Sequence, residues 1–176
     1  MPDLHKTHFE LFGLPQTFTI DMTQLDQGYR KLQSGIHPDR HVAGTTSERK
    51  QSLQWATHAN EAYRTLKDPL TRARYLLALH GVDTQEESNT AMPAGFLMQQ
   101  MEWREALEES QSACDLQALE VLLNDLQREA TSLQLALGND LDQRHDYQQA
   151  AQAVRKLCFL AKVREQVEQT ISSMDD

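Results

Sequence analysis

The chain has 176 residues, of which 39% are hydrophobic and 24% charged, and its net charge is −9. That is room for one ordinary domain or two small ones, and no apolar run approaches the roughly eighteen residues needed to cross a membrane. Residues 1–80 hold 10 Lys/Arg against 8 Asp/Glu, a balance of +2, whereas residues 81–176 hold 7 against 18, a balance of −11; the asymmetry points to two functional halves and argues against nucleic-acid binding by the second.

The amino terminus, Met1 to Lys6, has no apolar signal region and no Arg/Ser-rich transit character, so the protein is expected to stay where it is made, in the cytoplasm. A first helix is expected from Lys6 to Phe12, ended by Gly13-Leu14-Pro15. Asp21 reads as an N-cap with Gln24 three residues on, a capping-box pattern. It opens a helix to about Gly35 whose apolar face is Leu25, Tyr29, Leu32 and Ile36. Gly28 inside it costs about 1 kcal/mol relative to Ala, which a close approach between helices would justify. Pro38 lacks a backbone N–H and disfavours the α conformation in the residue before it, and Gly35 ends a helix at little cost. His37, Pro38 and Asp39 therefore form a loop at the tip of a helical hairpin, a good place for a recognition site.

Thr45-x-x-Glu48 opens the second arm, expected to run to about Lys67 with Leu53, Ala56, Asn60, Tyr63 and Leu66 on one face. Asp68-Pro69 stops it and starts a further helix, Leu70 to His80, ending at Gly81. Asp83 to Ala91 is polar, acidic and aperiodic, and reads as a linker. Three helical patterns follow, most simply a three-helix bundle. In the first, Phe96 to about Gln111, the residues Phe96, Trp103, Leu107 and Cys114 make one apolar stripe. Leu97, Met98 and Met101 make a second, interleaved with Glu102, Glu105, Glu108 and Glu109. That second face either meets another element of the same chain or is an exposed patch for a partner, and its methionines suit an adaptable surface. The next helix steps through Leu116, Leu119, Leu123, Leu126, Ala130, Leu133 and Leu137. A turn is expected at Gly138-Asn139-Asp140, and the last helix from Leu141 to about Ser172, with Val154, Leu157, Ala161, Val167 and Ile171 inward.

Chemistry-bearing motifs are few. Cys114 and Cys158 form no C-x-x-C pair, so neither a disulfide framework nor a zinc site is signalled, and two buried or half-buried thiols are expected. His37, Asp39, His41 and His58 hold side chains that bind metals, but a proline-broken loop is a poor frame for them, and Glu61 three residues after His58 is a common chance spacing. No nucleophile elbow, phosphate-binding glycine loop or H-E-x-x-H occurs, so catalysis has no positive support. Arg30, Lys31 and Arg40 make the hairpin tip basic in an acidic protein, suited to docking on an acidic protein patch.

The loop and its flanks resemble the J-domain of DnaJ-type co-chaperones. Phe9-Glu10-Leu11-Phe12-Gly13-Leu14 resembles that family's opening helix, and Asn60-Glu61-Ala62-Tyr63, Leu66, Asp68-Pro69, Arg72 and Tyr75 resemble the end of its third helix and the turn beyond. From Tyr75 on, Leu76-Leu77-Ala78-Leu79-His80-Gly81, then Phe96 to Glu105, then Val154-Arg155-Lys156-Leu157 with Phe159-Leu160, are similar to the HscB family of iron–sulfur-cluster co-chaperones. The resemblance covers nearly the whole chain. It implies an all-α, L-shaped protein with a J-domain and its following helix over residues 1–82, a linker over 83–91 and a three-helix bundle over 92–176.

It further implies a non-enzymatic adaptor without cofactor, metal, nucleic-acid or membrane partner. The J-domain would dock on HscA, a DnaK-type chaperone, and stimulate its ATPase through His37, Pro38 and Asp39, with Arg30, Lys31 and Arg40 adding electrostatic contact. The bundle would bind the iron–sulfur scaffold protein IscU through Leu97, Met98, Met101, Glu102, Glu105, Glu109 and Phe159. Ser34 and Ile36 stand where relatives commonly carry a basic and an aromatic residue, so docking on the chaperone is expected to be weaker or differently distributed. The rival readings are a J-protein with another client and an all-α metal protein using His37, Asp39, His41 and His58.

Overall fold

The computed structural model describes residues 6–36, 46–84 and 92–174. Among these there are only helices and connecting turns: α1 His8–Phe12, α2 Met22–Ile36, α3 Thr46–Lys67, α4 Pro69–Leu79, α5 Ala94–Ser112, α6 Leu116–Asn139 and α7 Tyr147–Met174, with a π-helical turn, Asp140–Arg144, after α6. No helix among them is long and apolar enough to cross a membrane. The chain divides into two compact units between Leu79 and His80. The expected linker begins later, at Asp83, and most of it, residues 85–91, lies outside the described residues.

In the first unit, local chemistry sets both ends of α1 and the start of α2. The Thr7 hydroxyl accepts from the Glu10 N–H at 3.2 Å and the Glu10 carboxylate accepts from the Thr7 N–H at 2.8 Å, a complete capping box for α1. Gly13, at φ 68°, ends it in the left-handed region. Asp21 caps α2 as expected, accepting from the N–H groups of Thr23 and Gln24. The Gln24 amide, however, donates to the Gly13 carbonyl at 3.0 Å instead of returning to Asp21, so it ties α2 to the end of α1.

α2 and α3 run antiparallel, as their cross-links show. The Tyr63 hydroxyl donates to Asp26 at 2.8 Å, and the Tyr29 hydroxyl and Gln33 amide donate to the Asn60 side-chain oxygen at 2.8 and 2.7 Å. The Tyr29 and Tyr63 rings stack at 4.1 Å. The close approach that Gly28 anticipates is to α1: a Cβ there would lie 3.1 Å from the Phe12 carbonyl oxygen.

The buried stripe of α3 is Trp55, Ala59, Ala62 and Leu66, which corrects the expected face of Leu53, Ala56, Asn60, Tyr63 and Leu66. Leu53 is 64% exposed, and Asn60 and Tyr63 form the side turned to α2. The reason is that α3 packs against α1, α2 and α4 at once, so its buried surface is broader than one stripe. At the α3–α4 corner Asp68 accepts from the Thr71 N–H, and buried Arg72 donates to the Leu66 carbonyl while lying over the Phe18 ring.

The second unit is a three-helix bundle cored by Phe96, Trp103, Leu119, Leu122, Leu126, Leu160, Val163 and Val167. Ala161, expected inward on α7, is exposed, and two further features differ from expectation. Cys114 does not continue the α5 core stripe: α5 ends at Ser112, and Cys114 is an exposed turn residue at φ 51°, because Asp115 caps α6 immediately afterwards. Cys158 is half-buried. The turn expected at Gly138-Asn139-Asp140 is also displaced. Leu137 and Leu141 are both buried, so helical backbone continues past Gly138 through the π turn. It breaks at His145, φ 55°, whose ring bonds the Leu141 carbonyl. Asp146 then caps α7 through the Gln149 N–H.

Candidate functional site

Two regions carry the candidate residues, one in each unit. His37, Pro38, Asp39, Arg40 and His41 lie outside the described residues. The helix leading to them is described: Arg30 and Lys31 are both exposed near the end of α2, and the Ser34 hydroxyl donates to the Lys31 carbonyl at 2.8 Å. The frame behind them is the α2–α3 seam. Asn60 holds two α2 side chains, and Tyr63, besides donating to Asp26, accepts from the Lys67 ammonium at 3.1 Å. That hydrogen bond raises the Lys67 pKa.

His58, one of the metal-reading residues, sits in a cluster of rings. It meets His8 edge-on at 5.6 Å and Trp55 at 5.8 Å. Among the described residues no three His, Cys, Asp or Glu side chains are gathered to hold a metal ion.

On α5 the two apolar faces separate cleanly. Phe96 and Trp103 are buried, and Leu97, Met98 and Met101 are 43, 64 and 69% exposed. Glu102, Glu105 and Glu109 are exposed beside them. A helix in a bundle needs one buried stripe; this one presents a second to solvent. Phe159, on α7, is half-buried. Its ring lies 5.9 Å from Phe96 and 6.4 Å from Trp103, with the Arg104 guanidinium over it at 5.6 Å. It therefore belongs partly to the core, and adjoins the exposed stripe at the edge where Arg104 follows Met101.

Reading one helix at a time misses the far bank of this surface. Between α5 and α6 runs a groove of about 920 Å³. Glu102 and Glu109 line one side; Val121, Asp125 and Glu129 line the other. The spacing 121, 125, 128, 129 is a helical face in the sequence, but nothing in one helix says that it stands opposite the carboxylates of another.

The model of the HSCB C-terminal oligomerisation domain matches residues 92–168. A co-chaperone protein HscB homolog of Ralstonia nicotianae is 49% identical over 170 residues, spanning 97% of each chain. Among solved structures, chaperone HscB from Vibrio cholerae is 36% identical with a TM-score of 0.82, covering 96% of this chain and 99% of that one. Human co-chaperone protein HscB is 27% identical with a TM-score of 0.87, covering 96% and 83%.

Proposed function

The chain belongs to the HscB family of co-chaperones, and we propose that within it this protein joins a DnaK-type chaperone, HscA, to the iron–sulfur scaffold protein IscU in the cytoplasm. Residues 1–82 would serve the chaperone and residues 92–176 the scaffold, with 83–91 as the link. The protein would catalyse nothing itself; ATP is hydrolysed on the chaperone.

At the hairpin, Asp39 pairs with an arginine of the chaperone, a charge-assisted bond of the strong kind. His37 and Pro38 complete the stimulating loop. Arg30, Lys31 and Arg40 steer encounter and fix register against an acidic patch. The α2–α3 seam supports this reading, since a loop that must trigger another protein needs a rigid base.

The observation that carries the scaffold assignment is the exposed Leu97, Met98 and Met101 face on a helix whose other face is already buried. An apolar face of this kind on a folded bundle is a partner site. Glu102, Glu105 and Glu109 rim it, and Phe159 borders it. Binding both partners raises the effective concentration of scaffold at the chaperone, so hydrolysis is coupled to capture of the right client.

The test is a separation of function. His37→Gln should abolish stimulation of the HscA ATPase and leave IscU affinity unchanged. Met101→Lys should weaken IscU binding by about tenfold or more, as loss of a central apolar contact does, and leave scaffold-free stimulation unchanged. A folded variant of either kind that loses both activities would overturn the two-site assignment.

A further inference from the structure

We propose that the groove between α5 and α6 is a second half of the scaffold-binding surface, and that it takes a Lys/Arg-bearing segment of the same partner. The inference rests on the scaffold reading above and extends it from one helix to two. The floor is apolar: Trp103 and Leu122 are buried beneath it, and Val121 stands at its lip 55% exposed. The walls are acidic. Glu102 and Glu109 line it from α5 and Asp125 and Glu129 from α6, with Asp115 from the turn between the two helices. The lining holds one cation, Arg128, and it is already ion-paired with Asp125. Among the described residues no cation pairs with Glu102, Glu109 or Glu129.

Such a groove fits a cationic segment better than any other class of occupant. Long basic side chains lay their methylene stems along apolar floor and keep their charged heads at the rim, here among carboxylates. Gathering like charges around one groove raises its energy, and a basic occupant relieves that repulsion. A second copy docking through the same face is disfavoured, because residues 81–176 carry −11. The groove is also continuous with the exposed α5 stripe. Glu102 adjoins Met101 in sequence and lines the groove as well, so a partner seated on Leu97, Met98 and Met101 reaches over that ridge onto α6.

The experiment measures the affinity of the full-length protein for purified, cluster-free IscU at low and at several-fold higher ionic strength. Variants are Met101→Lys, Val121→Lys, the double change Asp125→Asn with Glu129→Gln, and Glu165→Gln on the exposed surface of α7 as a charge control. Both α6 variants should bind about tenfold more weakly at low ionic strength, with most of the difference gone at high salt, where exposed charges are screened. Glu165→Gln should match the parent at both.

If Met101→Lys loses affinity and both α6 variants keep it, the α5 face stands and the groove has no part in binding. If all variants bind like the parent, the α5 reading fails and the groove falls with it. If the α6 changes alter the mass of the free protein in solution instead of its scaffold affinity, the occupant is a second copy, and the proposal is wrong.

Discussion

His8 sits between α3 and α4, its ring stacked on Tyr75 at 4.2 Å and edge-on to His58 at 5.6 Å. Its backbone N–H donates to the Tyr75 hydroxyl, so the first helix is fastened to the fourth at this residue. Burial above all, and then His58 opposite, hold its imidazole pKa below the ordinary 6.5, against a smaller pull upward from Glu61. As pH falls through about 6.5, the unfolded chain takes up a proton that the folded His8 resists, so the unfolded state is favoured and stability drops. In His8→Phe the ring packing remains and this proton is gone. Urea unfolding should therefore show the parent losing ground to His8→Phe as pH goes from about 7.5 to about 5.5. A stability difference that does not change with pH would contradict this placement of His8.

At the scale of helices, Gly28 marks a close approach between α2 and α1. Alanine there gains about 1 kcal/mol of helix propensity, yet its Cβ would meet the Phe12 carbonyl oxygen at 3.1 Å and the Phe12 Cβ at 3.2 Å. Phe12 is buried at the end of α1, next to the Gly13 cap, and overpacking of this kind typically costs about 1–3 kcal/mol. Gly28→Ala should lower stability by about 1 kcal/mol net, read as a shifted urea midpoint at unchanged slope; a stabilised variant would mean that α1 moves away freely.

Properties belonging to a single helix were legible in the sequence. The two faces of α5 follow from spacing alone, and so does the antiparallel pair before and after residues 37–45. What needed a neighbour was not. On α3 the spacing identifies Leu66 correctly but puts Ala56, Asn60 and Tyr63 where Trp55, Ala59 and Ala62 are buried, because three helices share α3. Gly138-Asn139-Asp140 reads as a turn in the sequence, but buried Leu141 holds the backbone helical beyond it. Heptad spacing carries the core stripe on to Cys114, three residues past the expected helix end at about Gln111, but the chain has already turned there. The α6 bank of the groove, likewise, exists only once two helices lie side by side. The residues from His37 to His41 were singled out by proline chemistry and resemblance, and they fall outside the described residues.

For the molecule as a whole, the proposed function requires two surfaces to act together. One is the basic hairpin of the first unit; the other is the apolar, acid-rimmed bundle face of the second. Under that proposal neither surface alone makes an adaptor: the hairpin without the bundle would stimulate the chaperone regardless of client, and the bundle without the hairpin would only hold the scaffold.

The most direct measurement is the steady-state ATPase rate of HscA alone, with this protein, with IscU, and with both. Coupling predicts stimulation by the protein that rises with IscU to more than the sum of the separate effects. Stimulation indifferent to IscU would leave the chaperone contact in place and contradict the scaffold assignment, and no stimulation by folded protein of an active chaperone would contradict the adaptor role itself.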